Sequence, residues 1–209
     1  MKTSTYADLP ALLTRLTGDE KHDASSFSTL DVVWVLFDAV LEPDDAFLLS
    51  KGHGPAAFYA VLAAQGLVPL DELDRFGAFD SALGYHPDRV LVPAAGIGSG
   101  SLGHGLAIGV GRALAGRRTF VLLGDGELDE GSNWEAVQYA GRIGLEQLTA
   151  VVVDNFSSTH HWPGGIEARF ELEGWDAIRV DGRDRDALAR ALSPRPSAAP
   201  RCVVAEVRS

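Results

Sequence analysis

Cysteine and methionine are almost missing, with one of each in 209 residues. One thiol cannot close an intrachain disulfide. Cys202 also sits in the apolar run PRCVVAEV, so it is expected in the core rather than as a nucleophile. Positive charge is scarce too: 18 Lys and Arg stand against 29 Asp and Glu, a formal net charge of −11. No dense run of Lys or Arg interrupts that balance. A nucleic acid or an anionic membrane surface needs a basic footprint, so neither is expected as a partner. One positive pocket for a phosphorylated small molecule is still compatible with such a chain. Long apolar runs are lacking as well. The longest, Val32 to Leu41, is broken by Asp38 and too short for a bilayer, and MKTSTYADLP has no apolar signal core. A soluble cytoplasmic protein is expected.

What remains has a globular composition, 46% hydrophobic and 22% charged, enough for one core over 1–209. Short apolar runs bounded by turn residues, Thr119–Leu123, Leu148–Val153, Ala177–Val180 and Cys202–Val207, read as strands. Helical patterns surround them. Leu30, Val33, Trp34 and Phe37 recur behind a capping-box pattern of Ser28 and Asp31. Pro55 opens a helix over 56–64 that Gly66 stops, and others are expected over 101–114, 133–143 and 185–192. The segment 193–200, SPRPSAAP, reads as a surface connection. Buried strands alternating with helices predict an α/β fold, a three-layer, doubly wound parallel sheet. Ligands of such sheets bind beyond the carboxyl ends of the strands.

The run TFVLL ends in Gly124-Asp125-Gly126, and LTAVVV ends in Asp154-Asn155. Glycines beside an aspartate let the backbone turn tightly and approach a ligand. An aspartate and an asparagine at neighbouring strand tips can offer two oxygens to Mg²⁺, which commonly completes its shell from phosphates and water. No Walker-type lysine lies in this stretch, so the metal is expected to supply the positive charge a diphosphate needs. Alone, Gly-Asp-Gly is an ordinary turn. Asn155, however, lies 30 positions after Asp125, the span of one helix and one strand. That spacing is also the thiamine diphosphate signature, and here the chain resembles transketolases. LSKGHGPAAFYAVLAAQG (49–66), GYHPD (84–88), GSLGHGLAIGVGRAL (100–114), GDGELDEGSNWEA (124–136) and GWDAIRVDGRD (174–184) follow the family's order, within a similarity running from His22 to Asp184.

The resemblance implies the family's diphosphate-binding domain, with thiamine diphosphate and Mg²⁺ as cofactors. Asp125 and Asn155 match its metal ligands, and the carbonyl of Ser157 matches its backbone ligand. Gly124 and Gly126 match the diphosphate turn; Gly100 and Leu102 fall where the backbone meets the pyrimidine side. His22, His53 and His86 match active-site histidines, with His22 in the least family-like surroundings. Imidazole suits proton transfer because it titrates near neutrality. Glu130 and Glu135 match positions at or near a subunit interface, and His104 stands where glutamine is common. The implied reaction moves a two-carbon unit from a phosphorylated ketose to an acceptor. It requires a glutamate from a pyrimidine-binding domain, and the chain ends at Ser209 before such a domain. A partner subunit carrying it, in a heterotetramer, is therefore expected.

Three departures stand out. FSSTHHWPGG after Asn155, with His160, His161 and Trp162, replaces a short apolar turn, either as a variant surface loop or as a remodelled acceptor entrance. Arg183 replaces a histidine, and VVAEVRS stops before a Lys-Gly-rich segment and a later histidine. The altered loop and the early end leave room for another acceptor, a carrier-protein thiol, as in keto-acid dehydrogenase first components. Two rivals of other classes are a dinucleotide-binding domain and a non-catalytic scaffold subunit. The former rests on Gly98-x-Gly100-x-x-Gly103, although no clean strand runs into it.

Overall fold

The computed structural model describes residues 4–208. All four apolar runs form strands, joined by a fifth that the sequence pattern did not mark. β1 (Ala46–Leu49), β2 (Thr119–Gly124), β3 (Leu148–Asp154), β4 (Asp176–Asp181) and β5 (Arg201–Glu206) build one parallel sheet in the order β1-β2-β3-β5-β4. Side chains alternate across it. Phe120, Leu122, Val151, Val153, Val203 and Ala205 face a layer of α1 (Leu9–Leu13), α2 (Asp23–Val35), α3 (Ala56–Ala64) and α7 (Arg185–Leu192). Val121, Leu123, Ala150, Val152, Cys202 and Val204 face α4 (Gly105–Leu114), α5 (Gly131–Arg142) and α6 (Ile166–Leu172). Burial on both faces explains why β2, β3 and β5 read as apolar runs. It also pushes the Cys202 thiol well above its usual range, as befits a core residue.

The layering follows from the strand order. From β1 to β4 the chain advances across the sheet in one direction, and α4, α5 and α6 cover one face. From β4 it steps back to insert β5 beside β3, and a right-handed crossover in that reversed direction puts α7 on the opposite face. The expected α/β three-layer architecture is therefore present. No helix among the described residues is long and apolar enough to cross a membrane.

Local expectations fare unevenly. The helix over 56–64 matches α3, and α5 starts two residues before 133. The capping box at Ser28 and Asp31 is absent, because α2 already begins at Asp23. The Ser28 hydroxyl donates to the Ser25 carbonyl (2.9 Å). Asp31 instead accepts from the Tyr6 hydroxyl (2.7 Å) and Arg183 Nη1 (3.0 Å). α4 starts at Gly105 rather than 101, since Gly100 and Gly103 take φ values of 118° and 83°, outside any right-handed helix.

Candidate functional site

Three adjacent strands end at the same edge. Beyond β1, the amides of Ser50 and Lys51 both donate to the Leu122 carbonyl (3.0 and 2.9 Å), and beyond β2 the Asp125 amide donates to Val153 (3.0 Å). Lys51, Asp125 and Asn155 thus stand at neighbouring tips. Asp125 is 1% exposed; Oδ1 accepts from the Ser157 hydroxyl (2.6 Å) and Oδ2 from the Ser158 amide (2.9 Å). Asn155 Nδ2 donates to Ser28 Oγ (3.3 Å), while Asn155 Oδ1 is buried without a partner. A Cβ at Gly126 would lie 3.4 Å from Ser157 Oγ and 3.7 Å from the Ser157 carbonyl oxygen, in ordinary contact, so Gly126 faces Ser157. Asp125, Asn155, Ser157, Gly124 and Gly126 therefore gather at one place.

This set fits a divalent cation that comes with a diphosphate. It offers one carboxylate, one idle carboxamide oxygen and one carbonyl, all hard oxygen donors. Among the described residues no group of three or more His, Cys, Asp or Glu could hold a metal by itself. Further oxygens would have to come from phosphate or water.

The three histidines also converge. The His53 ring lies 5.7 Å from that of His22 and 4.8 Å from that of His86, edge to face in both cases. His22 Nδ1 is held by Asp19 Oδ1 at 2.7 Å. Burial, reinforced by His86, His22 and Lys51, lowers the His53 pKa below its usual value. Gly100 packs against His86, whose Cδ2 would lie 2.9 Å from a Cβ at Gly100. Leu102 follows half-buried, and the next amide, Gly103, donates to Glu127 Oε1 (3.0 Å). Glu127 also receives the Ser50 hydroxyl, and its Oε2 is buried without a partner. Burial raises its pKa above the normal range. The carboxylate thus ties the 100–103 loop to the end of β1. Glu130 and Glu135 are exposed, and His104 directly precedes α4 without a side-chain capping hydrogen bond.

Sequence reading singled out neither Lys51 nor Glu127. Lys51 is 9% exposed, and Nζ donates to the Ser25 carbonyl (2.9 Å) and the Ser25 hydroxyl (2.6 Å). Burial pulls its pKa down to about 8, against the opposing pull of Asp125 and Glu127. Its signal was the KGHG segment itself, one residue before the first glycine.

The loop after Asn155 is pinned rather than free. Ser158 Oγ and the Thr159 amide donate to Asp129 (2.6 and 3.0 Å). Trp162 packs on Trp134 at 5.2 Å, and the Arg169 guanidinium lies over both rings. Beneath it is a cavity of about 390 Å³ bounded by Asp125, Asp154, His161, Trp162, Glu167 and Arg179. Arg183 also gains a role, joining the turn after β4 to α2 through the Phe27 carbonyl and Asp31. The Gly98–Gly103 segment follows a 3₁₀ turn at Pro93–Ala95, not a strand, so the dinucleotide fingerprint lacks its required context.

Residues 21–208 match the family model described as transketolase, thiamine diphosphate binding domain. A protein of Rhodococcoides fascians named ferredoxin fas2 is 48% identical, over 97% of this chain and 72% of its own length. The single buried cysteine here cannot form a four-thiolate iron–sulfur set, so the likeness concerns the sheet domain. One subunit of the apulose-4-phosphate transketolase of Phocaeicola vulgatus is 33% identical, over 82% of this chain and 68% of its own length. An uncharacterised transketolase family protein of Sinorhizobium fredii is 42% identical, over 74% of this chain and 60% of its own length. Among solved structures, the Pichia stipitis transketolase complex with sedoheptulose-7-phosphate superposes with a TM-score of 0.79 at 27% identity, over 97% of this chain and 36% of that one. The chain spans little more than a third of that enzyme's length. Sheet and family model agree, and the chain belongs to the transketolase family, in its thiamine diphosphate binding domain.

Proposed function

We propose that this chain is the thiamine diphosphate and Mg²⁺ binding subunit of a two-chain transketolase, which moves a two-carbon ketol unit from a ketose phosphate to an acceptor. The observation that carries the reading is Asn155 Oδ1, a buried oxygen without a partner, on the strand tip next to the one that carries Asp125. An orphan acceptor is costly to bury and is satisfied by a cation. Mg²⁺ would be held by Asp125, Asn155 and the Ser157 carbonyl, and the diphosphate by the bare backbone of Gly124 and Gly126. When bound, thiamine diphosphate supplies the reactive thiazolium carbon that carries the two-carbon unit.

The chain's own residues position the substrate and move protons. With its pKa lowered, His53 is neutral at pH 7 and able to accept a proton from a substrate hydroxyl. Asp19 fixes His22 through Nδ1, leaving Nε2 for the substrate. His86 stands exposed at the rim, against Gly100. The aminopyrimidine glutamate would come from a partner chain. The Phocaeicola vulgatus relative, itself named as one subunit of a transketolase, supports that reading, and a heterotetramer is the expected assembly. Isothermal titration of the chain with thiamine diphosphate tests the cofactor site. Binding that appears with Mg²⁺ and vanishes with chelator is expected, and binding indifferent to Mg²⁺ would remove the metal from the reading.

A further inference from the structure

We propose that Lys51 is the protein's own cation for the diphosphate, sharing the anionic tail of the cofactor with the metal. The inference rests on the cofactor reading above and adds a residue to it. Lys51 is a buried ammonium whose partners are neutral oxygens: the Ser25 carbonyl, the Ser25 hydroxyl and, at 3.5 Å, the His53 carbonyl. None of its hydrogen-bond partners is a carboxylate. Asp125 and Glu127 act on it only through space: Asp125 is held by Ser157 and Ser158, and Glu127 is held through Oε1 by Ser50 and Gly103, while its Oε2 has no partner. A charge taken out of water without a hydrogen-bonded counterion is unfavourable. A protein keeps such a group where an anion comes to meet it.

The position says which anion. The Lys51 stem runs along the diphosphate turn, with Cδ 3.3 Å from where a Cβ at Gly124 would stand. Its backbone amide is fixed to the Leu122 carbonyl, one strand over from the Asp125 tip. The charge balance asks for it too. A Mg²⁺ ion bound to one carboxylate, with a carboxamide and a carbonyl, nets a single positive charge, less than a diphosphate carries. Other cations are unsuited. Burial keeps His53 neutral, and Arg179 is committed to Asp154, Glu167 and Glu206. The metal alone, as the sequence suggested, leaves the tail undercompensated, and Lys51 completes it.

The competing role is structural: Lys51 could serve only to tie α2, through Ser25, to the turn at His53. Titrating the full chain calorimetrically with inorganic pyrophosphate and Mg²⁺ separates the two, because pyrophosphate needs no contact from a second subunit. K51M is expected to bind about 10- to 100-fold more weakly than wild type. The loss should be smaller for inorganic phosphate, and the melting temperature of the free variant unchanged or higher, since an uncompensated buried charge has gone. Equal affinities in K51M and wild type, or equal losses for the two anions with a lower melting temperature, overturn the proposal and leave the structural tie. Should K51M not fold, K51Q carries the same comparison. Wild type that fails to bind magnesium pyrophosphate overturns the underlying cofactor site, an outcome distinct from the failure of Lys51 alone.

Discussion

Asp125 holds two donors as well as offering a ligand oxygen: the Ser157 hydroxyl and the Ser158 amide both end on its carboxylate. Asp125→Asn keeps the shape and one acceptor while removing the charge. Its affinity for Mg²⁺ with pyrophosphate should fall by about 100-fold or more, with little change in the melting temperature of the free protein. Calorimetry and thermal melts check both, and undiminished metal binding would remove Asp125 from the site. His53 has a different signature. Its folded pKa lies below the value of roughly 6.5 that it regains on unfolding. Well above that value both states are neutral and His53 does not penalise the fold. As pH falls through it towards the folded pKa, the unfolded chain takes the proton first and stability is lost. The free protein should melt lower near pH 5.5 than near pH 7.5, and His53→Asn should flatten part of that slope; an identical slope in the variant would count against it. Asp125, Asn155, Ser157 and the histidines were legible because their motifs are short and contiguous. Lys51 and Glu127 were not, since their partners Ser25, Ser50 and Gly103 lie 26, 77 and 24 positions away.

Four elements meet at Arg179. From the edge strand β4 its guanidinium reaches Asp154 of β3 (2.8 Å), Glu206 of β5 (2.8 Å) and both oxygens of Glu167 on α6. Hydrogen bonding to Glu167, foremost, raises its pKa still further above the usual range. Arg179→Met leaves three carboxylates facing one another, at the edge strand that has one neighbour only. A loss of about 1–3 kcal/mol in urea unfolding at neutral pH is expected, reduced for partial exposure and shrinking in acid as the carboxylates protonate. Unchanged stability would mean that the cluster is held by solvent rather than by Arg179. Of the elements themselves, β2, β3 and β5 could be read because both faces are buried. β1 could not, having four residues and no flanking pattern long enough to set a period. Ser28 and Asp31 misled for a tertiary reason: Tyr6 and Arg183, from either end of the chain, claim Asp31 in mid-helix.

Across the whole molecule the cleft is open on the side away from the sheet. His86 is exposed, and Tyr85 and Phe156, the neighbours of His86 and Asn155, expose 44% and 56% of their surface. Exposed aromatic side chains beside a polar cleft are what the proposed partner chain would cover. Under the proposed function such a cover would exclude water, which weakens each electrostatic contact in the cleft and competes with an acceptor. The solved transketolase that this chain superposes on is matched over 36% of its length. Binding and turnover should therefore separate. Given Mg²⁺, thiamine diphosphate and a ketose phosphate, the chain alone is expected to bind cofactor yet transfer no two-carbon unit above background. Adding the chain that carries the pyrimidine-binding domain should restore transfer. Robust turnover by the chain alone, with cofactor binding intact, would falsify the two-chain reading and leave the strand-tip site standing.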